Sequence, residues 1–226
     1  MRLRTSFYAT PATELAPRLL GVFLCRRFDD GKVVKARITE TEAYYGEADT
    51  ACHAAHGRTP RTDVMYARGG FAYVYLCYGM HNMLNIVSGR KDFPEAVLIR
   101  SVEGAEGPGR LTKRLSITRG LNRENLVTSK RLWLESDGMA LPFRTAPRVG
   151  IGYASPEDQA RLWRFIAASP PSCGGRGATA LPPAPEGGTR SRASVLRPLR
   201  SDGAPAVGTA PCCVPQLVNC LTDTTV

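Results

Sequence analysis

From Val33 to Thr41 the chain changes character residue by residue. Val34, Ala36 and Ile38 share one parity, and Val33, Lys35, Arg37, Thr39 and Thr41 share the other. A period of two sustained over this length is a β-strand with one buried face, and it commits the fold to a sheet. Continued to Tyr44, the same parity turns Glu42 and Tyr44 toward the apolar side. A carboxylate aimed inward beside an aromatic ring suits general-base work on an aromatic substrate. The alternative is a strand end with one core Glu satisfied by hydrogen bonds.

The 226 residues divide near Pro170. Before it, apolar runs are regularly spaced and punctuated by turns, as expected of one domain over residues 1–170. After it come Pro, Gly, Ala, Ser and Arg with little periodicity, as in Leu181-Pro182-Pro183-Ala184-Pro185. Such a composition buries too little apolar surface to offset chain entropy, so residues 171–226 are expected to be a disordered tail. The formal charge is +10. The tail holds five Arg against Glu186, Asp202 and Asp223, which leaves +8 on the front part. A basic domain raises the local concentration of polyanions, nucleic acid first and anionic membrane second. The start, Met1-Arg2-Leu3-Arg4-Thr5, has no apolar h-region, and no stretch is long enough to span a bilayer, so an intracellular protein without membrane contact is expected. Seven cysteines, an odd number without a C-x-x-C pair, indicate neither a disulfide frame nor a four-cysteine zinc site.

The front part reads as α+β with strands dominating. Thr10-Pro11 reads as N-cap and first helical position, with Leu15, Leu19 and Leu20 on the apolar stripe. A strand over 22–28 meets the turn Asp29-Asp30-Gly31-Lys32 before the long strand. Residues 71–78 and 83–87 form a second strand pair around Gly79-Met80-His81-Asn82, and 96–102 is another strand. Gly107-Pro108 opens a helix carrying Leu111 and Leu115; 131–135 and 148–152 read as strands, and 156–165 as a last helix.

Six of the eight tyrosines (Tyr44, Tyr45, Tyr66, Tyr73, Tyr75 and Tyr78) and all three histidines (His53, His56 and His81) fall between Tyr44 and Asn85. Aromatics pack well in strands, but each phenol needs a polar partner when buried. Cys52-His53-Ala54-Ala55-His56 lacks the further ligands of a zinc site, and its flanking Gly and Pro argue for a loop. No glycine-rich phosphate loop sits between a strand and a helix, and no nucleophile elbow is present.

Glu40-Thr41-Glu42-Ala43-Tyr44, then His53, then Tyr73-Val74-Tyr75-Leu76-Cys77-Tyr78-Gly79-Met80-His81, Asn85 and Arg100 resemble the alkyladenine (3-methyladenine) DNA glycosylase family in order and spacing. Gly107-Pro108-Gly109-Arg110-Leu111 and Arg148-Val149-Gly150-Ile151-Gly152 extend the likeness, which covers residues 10–170. The resemblance implies a curved, mostly antiparallel β-sheet with flanking helices and a protruding hairpin. It also implies excision of alkylated or deaminated purines from double-stranded DNA with water and no cofactor or metal; a monomer is the default expectation, since a DNA-wrapping face and a hairpin wedge need no symmetric partner. Glu42 would activate the water, and Arg100 would help hold it or a phosphate. Tyr44 and Tyr75 would sandwich the extruded base, with His53 lining the same pocket. Asn85 would reject a purine with a 2-amino group. Tyr78 would wedge into the minor groove, with Met80, His81 and Arg61 also on the DNA. The other expectations are a nucleic-acid-binding module of the same fold without chemistry and an unrelated hydrolase or metal-dependent enzyme acting on acidic substrates. Two places depart from the family pattern: Asp63, where a neutral or basic residue is expected near phosphates, and the text after Ser169-Pro170.

Overall fold

The structure, a computed structural model, describes residues 1–168. The expectation for residues 171–226 lies outside them. Eight strands form one curled sheet in which every pairing is antiparallel. In chain order these are β1 (Phe23–Arg27), β2 (Val33–Tyr45), β3 (Ala72–Cys77), β4 (His81–Val87), β5 (Glu95–Val102), β6 (Leu132–Glu135), β7 (Phe143–Ala146) and β8 (Arg164–Ala167). The order across the sheet is β3-β4-β5-β2-β1-β6, with β8 also on β2 and β7 on β8. The helices are short: α1 (Thr5–Tyr8), α2 (Ala12–Arg18), α3 (Pro108–Arg114) and α4 (Pro156–Ala160). The α+β expectation with a protruding hairpin holds.

β2 belongs to two halves of the sheet. Residues 33–37 pair with β1, while 40–42 pair with β8 along the same edge. On the other edge, against β5, the register shifts twice between Ile38 and Thr41. Each strand carries one extra residue there, so the inward parity changes along both. Val34, Ala36 and Ile38 face the main core before the bulge; Thr41 and Ala43 face it afterward, Thr41 donating to the Ala16 carbonyl at 2.9 Å. The unbroken alternation expected from the sequence is therefore corrected. Glu42 and Tyr44 share a face, but it is the opposite one from Val34, Ala36 and Ile38.

The main core lies between the sheet and α2 and α3, with Leu15, Leu19, Leu111 and Leu115 fully buried. Thr10 does not cap α2. Its hydroxyl donates to the Phe7 carbonyl, Pro11 takes the N-cap position, and the free N–H of Ala12 donates to Glu95 from β5. A buried carboxylate thus does the work expected of a local hydroxyl. Two further expectations are corrected. Residues 148–152 are an irregular loop, because they must wrap around buried charges instead of extending an edge. The last helix stops at Ala160, since residues 164–167 find strand partners in both β2 and β7.

Candidate active site

Glu42 lies on the face of β2 opposite the main core and is fully buried. Its Oε1 accepts the backbone N–H of Val149 at 2.8 Å and faces Arg100 Nη1 at 3.2 Å. Its Oε2 accepts the Tyr44 hydroxyl at 3.0 Å. Burial pushes the carboxyl above the usual range, against the opposing pull of Arg100, the Val149 N–H and Tyr44. Glu40, two residues earlier, goes the other way. Burial raises it, but Ser101, Arg164 and Arg100 together bring it below the usual range. Arg100 Nε donates to Glu40 at 3.1 Å, so one guanidinium spans both carboxylates.

Beside this pair is a small cavity of about 30 Å³, lined by Tyr44, His53, Tyr73, Tyr75, Asn85 and Tyr153 with Ala51, Met65 and Ala96. It has room for about one water and far less than a purine occupies. His53 comes from a 3₁₀ turn (His53–His56), so the segment read as loop is a short helical turn. Its Nδ1 lies 3.0 Å from the Tyr73 hydroxyl, and its ring meets Tyr75 edge-on at 4.5 Å between centroids. Burial, then the charge of Arg61, holds the imidazole down to about 4. Arg61 Nη2 lies 3.4 Å from His53 Nε2, and its guanidinium sits 5.2 Å from the Tyr75 ring centre. Arginine only donates, so Nε2 is the acceptor and Nδ1 carries the hydrogen. Asn85 on β4 is buried and donates its amide to the carbonyl of Tyr73 at 3.2 Å.

Tyr78 and Gly79 form the tip of the β3–β4 hairpin with φ of +50° and +67°, closed by the Met80 N–H on the Cys77 carbonyl at 3.1 Å. Two successive positive φ values define a type I′ turn, whose first position suits Asn or Gly far better than an aromatic. Tyr78 is 55% exposed there, and Met80 is 69% exposed. His81 is exposed where the hairpin leaves the sheet, close enough to α3 that a Cβ on Gly109 would meet its Nδ1 at 3.0 Å.

Glu42, Arg100, Tyr44, His53, Tyr75, Asn85 and Arg61 are thus brought together, while Tyr78, Met80 and His81 stand apart on the hairpin. Arg61, expected on the DNA, also meets the pocket side chains. Sequence reasoning gave no role to Arg148, Val149, Asp49, Tyr73 or Tyr153. Arg148 makes a buried two-pronged pair with Asp49 at 2.6 and 2.8 Å and donates to the Ala43 carbonyl. Its guanidinium lies 4.9 Å from the Tyr44 ring and 5.0 Å from Trp163. That clamp holds the loop whose Val149 N–H reaches Glu42. The segment Arg148–Gly152 was visible as a motif; its partner Asp49, 99 residues away, carried no local signal. Among the described residues, no three His, Cys, Asp or Glu side chains converge as a metal site requires, and no helix is long and apolar enough to cross a membrane.

The sequence matches the profile of the family described as methylpurine-DNA glycosylase over residues 6–106 and 104–171. A protein of Psychrobacter cryohalolentis named "Putative 3-methyladenine DNA glycosylase" is 41% identical over 201 residues, covering 75% of this chain and 93% of that protein. Proteins of the same name from Borrelia garinii subsp. bavariensis and Methanocella arvoryzae are 44% and 43% identical. Their alignments cover 70% and 72% of this chain, and 92% and 90% of those proteins. With most of both lengths aligned at this identity, the chain belongs to the methylpurine-DNA glycosylase family.

Proposed function

We propose that this protein is a monofunctional glycosylase that hydrolyses the N-glycosidic bond of alkylated or deaminated purines in double-stranded DNA. It acts as an intracellular monomer and leaves an abasic site for base excision repair. The observation that carries this reading is the buried Glu42 carboxylate, gripped by Arg100, the Val149 N–H and Tyr44 at the edge of an aromatic pocket. A carboxylate accepts about four hydrogen bonds. Three contacts are taken, two at Oε1 and one at Oε2, which leaves Oε2 an acceptor site for a water. In the reaction that water's oxygen bonds to the sugar C1′, and the C1′–N9 bond breaks with its electron pair leaving on the purine. Glu42 takes the water's proton, and its negative charge favours the oxocarbenium-like transition state. The upward push on the Glu42 carboxyl makes it a stronger base, so activity should rise with pH as it ionises.

Tyr44 and Tyr75 would stack on the extruded base, with Asn85 at its edge and Tyr78 filling the gap in the duplex. The cavity is too small for a base as it stands, so entry requires side chains such as Tyr75, His53 or Tyr153 to move. The deciding experiment is single-turnover base release from a duplex carrying one hypoxanthine or one alkylated adenine, with no metal added. Wild type should release the base. Glu42→Gln should bind the same DNA and lose about three orders of magnitude or more in rate. Equal turnover by that variant would remove Glu42 from the mechanism. No release by a folded, DNA-binding wild type would favour a binding module without chemistry.

A further inference from the structure

We propose that Arg58 and Arg123 form a clamp for one DNA phosphodiester beside the pocket mouth, and that Asp63 occupies this clamp as an internal stand-in for the phosphate. The proposal rests on the reading of duplex DNA as substrate. The two arginines come from segments far apart in the chain and converge on a single carboxylate. Arg58 Nε and Nη2 both donate to Asp63 Oδ1 at 2.8 Å, while Arg123 Nη2 reaches Oδ2 at 2.8 Å. A carboxylate and a phosphodiester offer such forks the same thing, two anionic oxygens on one centre.

Both guanidiniums are half exposed, Arg58 at 52% and Arg123 at 53%, so the site is open to a ligand from solvent. Arg58 has contacts besides Asp63, and the backbone of Arg123 is fixed by a bond to β3. Arg58 lies 5.1 Å from the Tyr66 ring centre and 3.5 Å from Asp92; Arg123 sits in a φ of +66° with its N–H on the Ala72 carbonyl. Asp63 begins the 3₁₀ turn Asp63–Tyr66, whose Met65 lines the pocket and whose Tyr66 ring lies under Arg58, so the clamp and the pocket wall share one turn.

Asp63 has little structural work to do here. The loop from Gly57 to Asp63 is braced by Thr62, whose hydroxyl accepts the Thr59 N–H and donates to the Gly57 carbonyl, and by the Asp63 N–H on the Thr59 carbonyl. Exposed ion pairs add little to stability. Their charge effect on an incoming polyanion is larger. The carboxylate offsets one of the two guanidinium charges that grip it, and a phosphate must displace it or share the guanidiniums with it.

The test is binding of a lesion-free labelled duplex, read by anisotropy between about 50 and 200 mM salt. Asp63→Asn should bind roughly three- to tenfold tighter at the low end, with the slope of log affinity against log salt steeper by about 0.9. In an Arg58→Gln/Arg123→Gln chain, which should bind more weakly than wild type, Asp63→Asn should change neither quantity. Unchanged affinity and slope in a folded Asp63→Asn chain would overturn the clamp. So would an equal gain in the double-Gln background, which would mark a general charge effect. If Asp63→Asn does not fold, the double-Gln chain decides alone, and wild-type binding by it would overturn the proposal. Absence of DNA binding by wild type would sink the substrate reading as well, whereas binding without base release would sink the catalytic reading alone.

Discussion

At the scale of single residues, His53 and Glu42 are pulled in opposite directions by the same burial. His53 sits at about 4, below the ordinary value near 6.5. Between those values the unfolded chain binds more protons than the folded one. The contribution of neutral His53 is therefore fully present above about 6.5 and is lost as pH falls toward 4, on the order of 3 kcal/mol at most. Urea unfolding of wild type at pH 7 and pH 4.5 should show this loss, and His53→Gln should shrink the difference between the two. An identical difference in the variant would mean that His53 does not titrate as its surroundings dictate. Glu42, pushed upward, has the opposite sign: the folded state holds its proton longer, so ionisation costs stability as pH rises. Glu42, Tyr44, His53, Tyr75 and Asn85, which the structure brings close together, could be singled out in the sequence because each stands in a stretch that resembles the family in order and spacing. Arg148 with Asp49 was not legible as a pair. A buried ion pair between distant segments leaves no periodicity and no spacing to read.

At the scale of elements, the hairpin and the bulge differ in how far sequence could reveal them. The β3–β4 hairpin was legible because two apolar runs flank a Gly, although the loop is tighter than expected and His81 already belongs to β4. The bulge in β2 was not. Thr39 and Glu40 carry no Gly or Pro to mark it, and only the pairing with β5 and β8 imposes it. The end of α4 failed for a related reason: its start was announced by Ser155-Pro156, but long-range pairing converted the rest to strand. The hairpin tip yields a prediction at this scale. A bulky aromatic at φ +50° is strained. Tyr78→Asn, which tolerates that conformation, should hold or raise stability by up to about 1 kcal/mol while lowering the flipping signal of a fluorescent base beside the lesion. A clear fall in thermal midpoint would show instead that the ring secures the tip, and an unchanged flipping signal would remove its wedge role.

At the scale of the whole molecule, a surplus of +8 on residues 1–170 lies on a chain whose aromatic pocket is almost closed. Contact with the phosphate backbone would then come first and capture of the base second. Affinity for any duplex should fall steeply with salt, and a titration showing a salt-independent binding constant would contradict phosphate contacts. The fold class was legible because composition and alternation demanded a sheet, while the way the sheet curls onto itself depended on contacts across the chain. The extra residue in β2 has one more consequence. Deleting a single residue between Ile38 and Thr41 would shift the chain by half a pleat. Thr41 and Ala43 would be delivered to the pocket face, and the Glu42 carboxylate would be driven against α2. Single-codon gains and losses there should be absent from working genes of this kind, even where neighbouring loops vary freely in length.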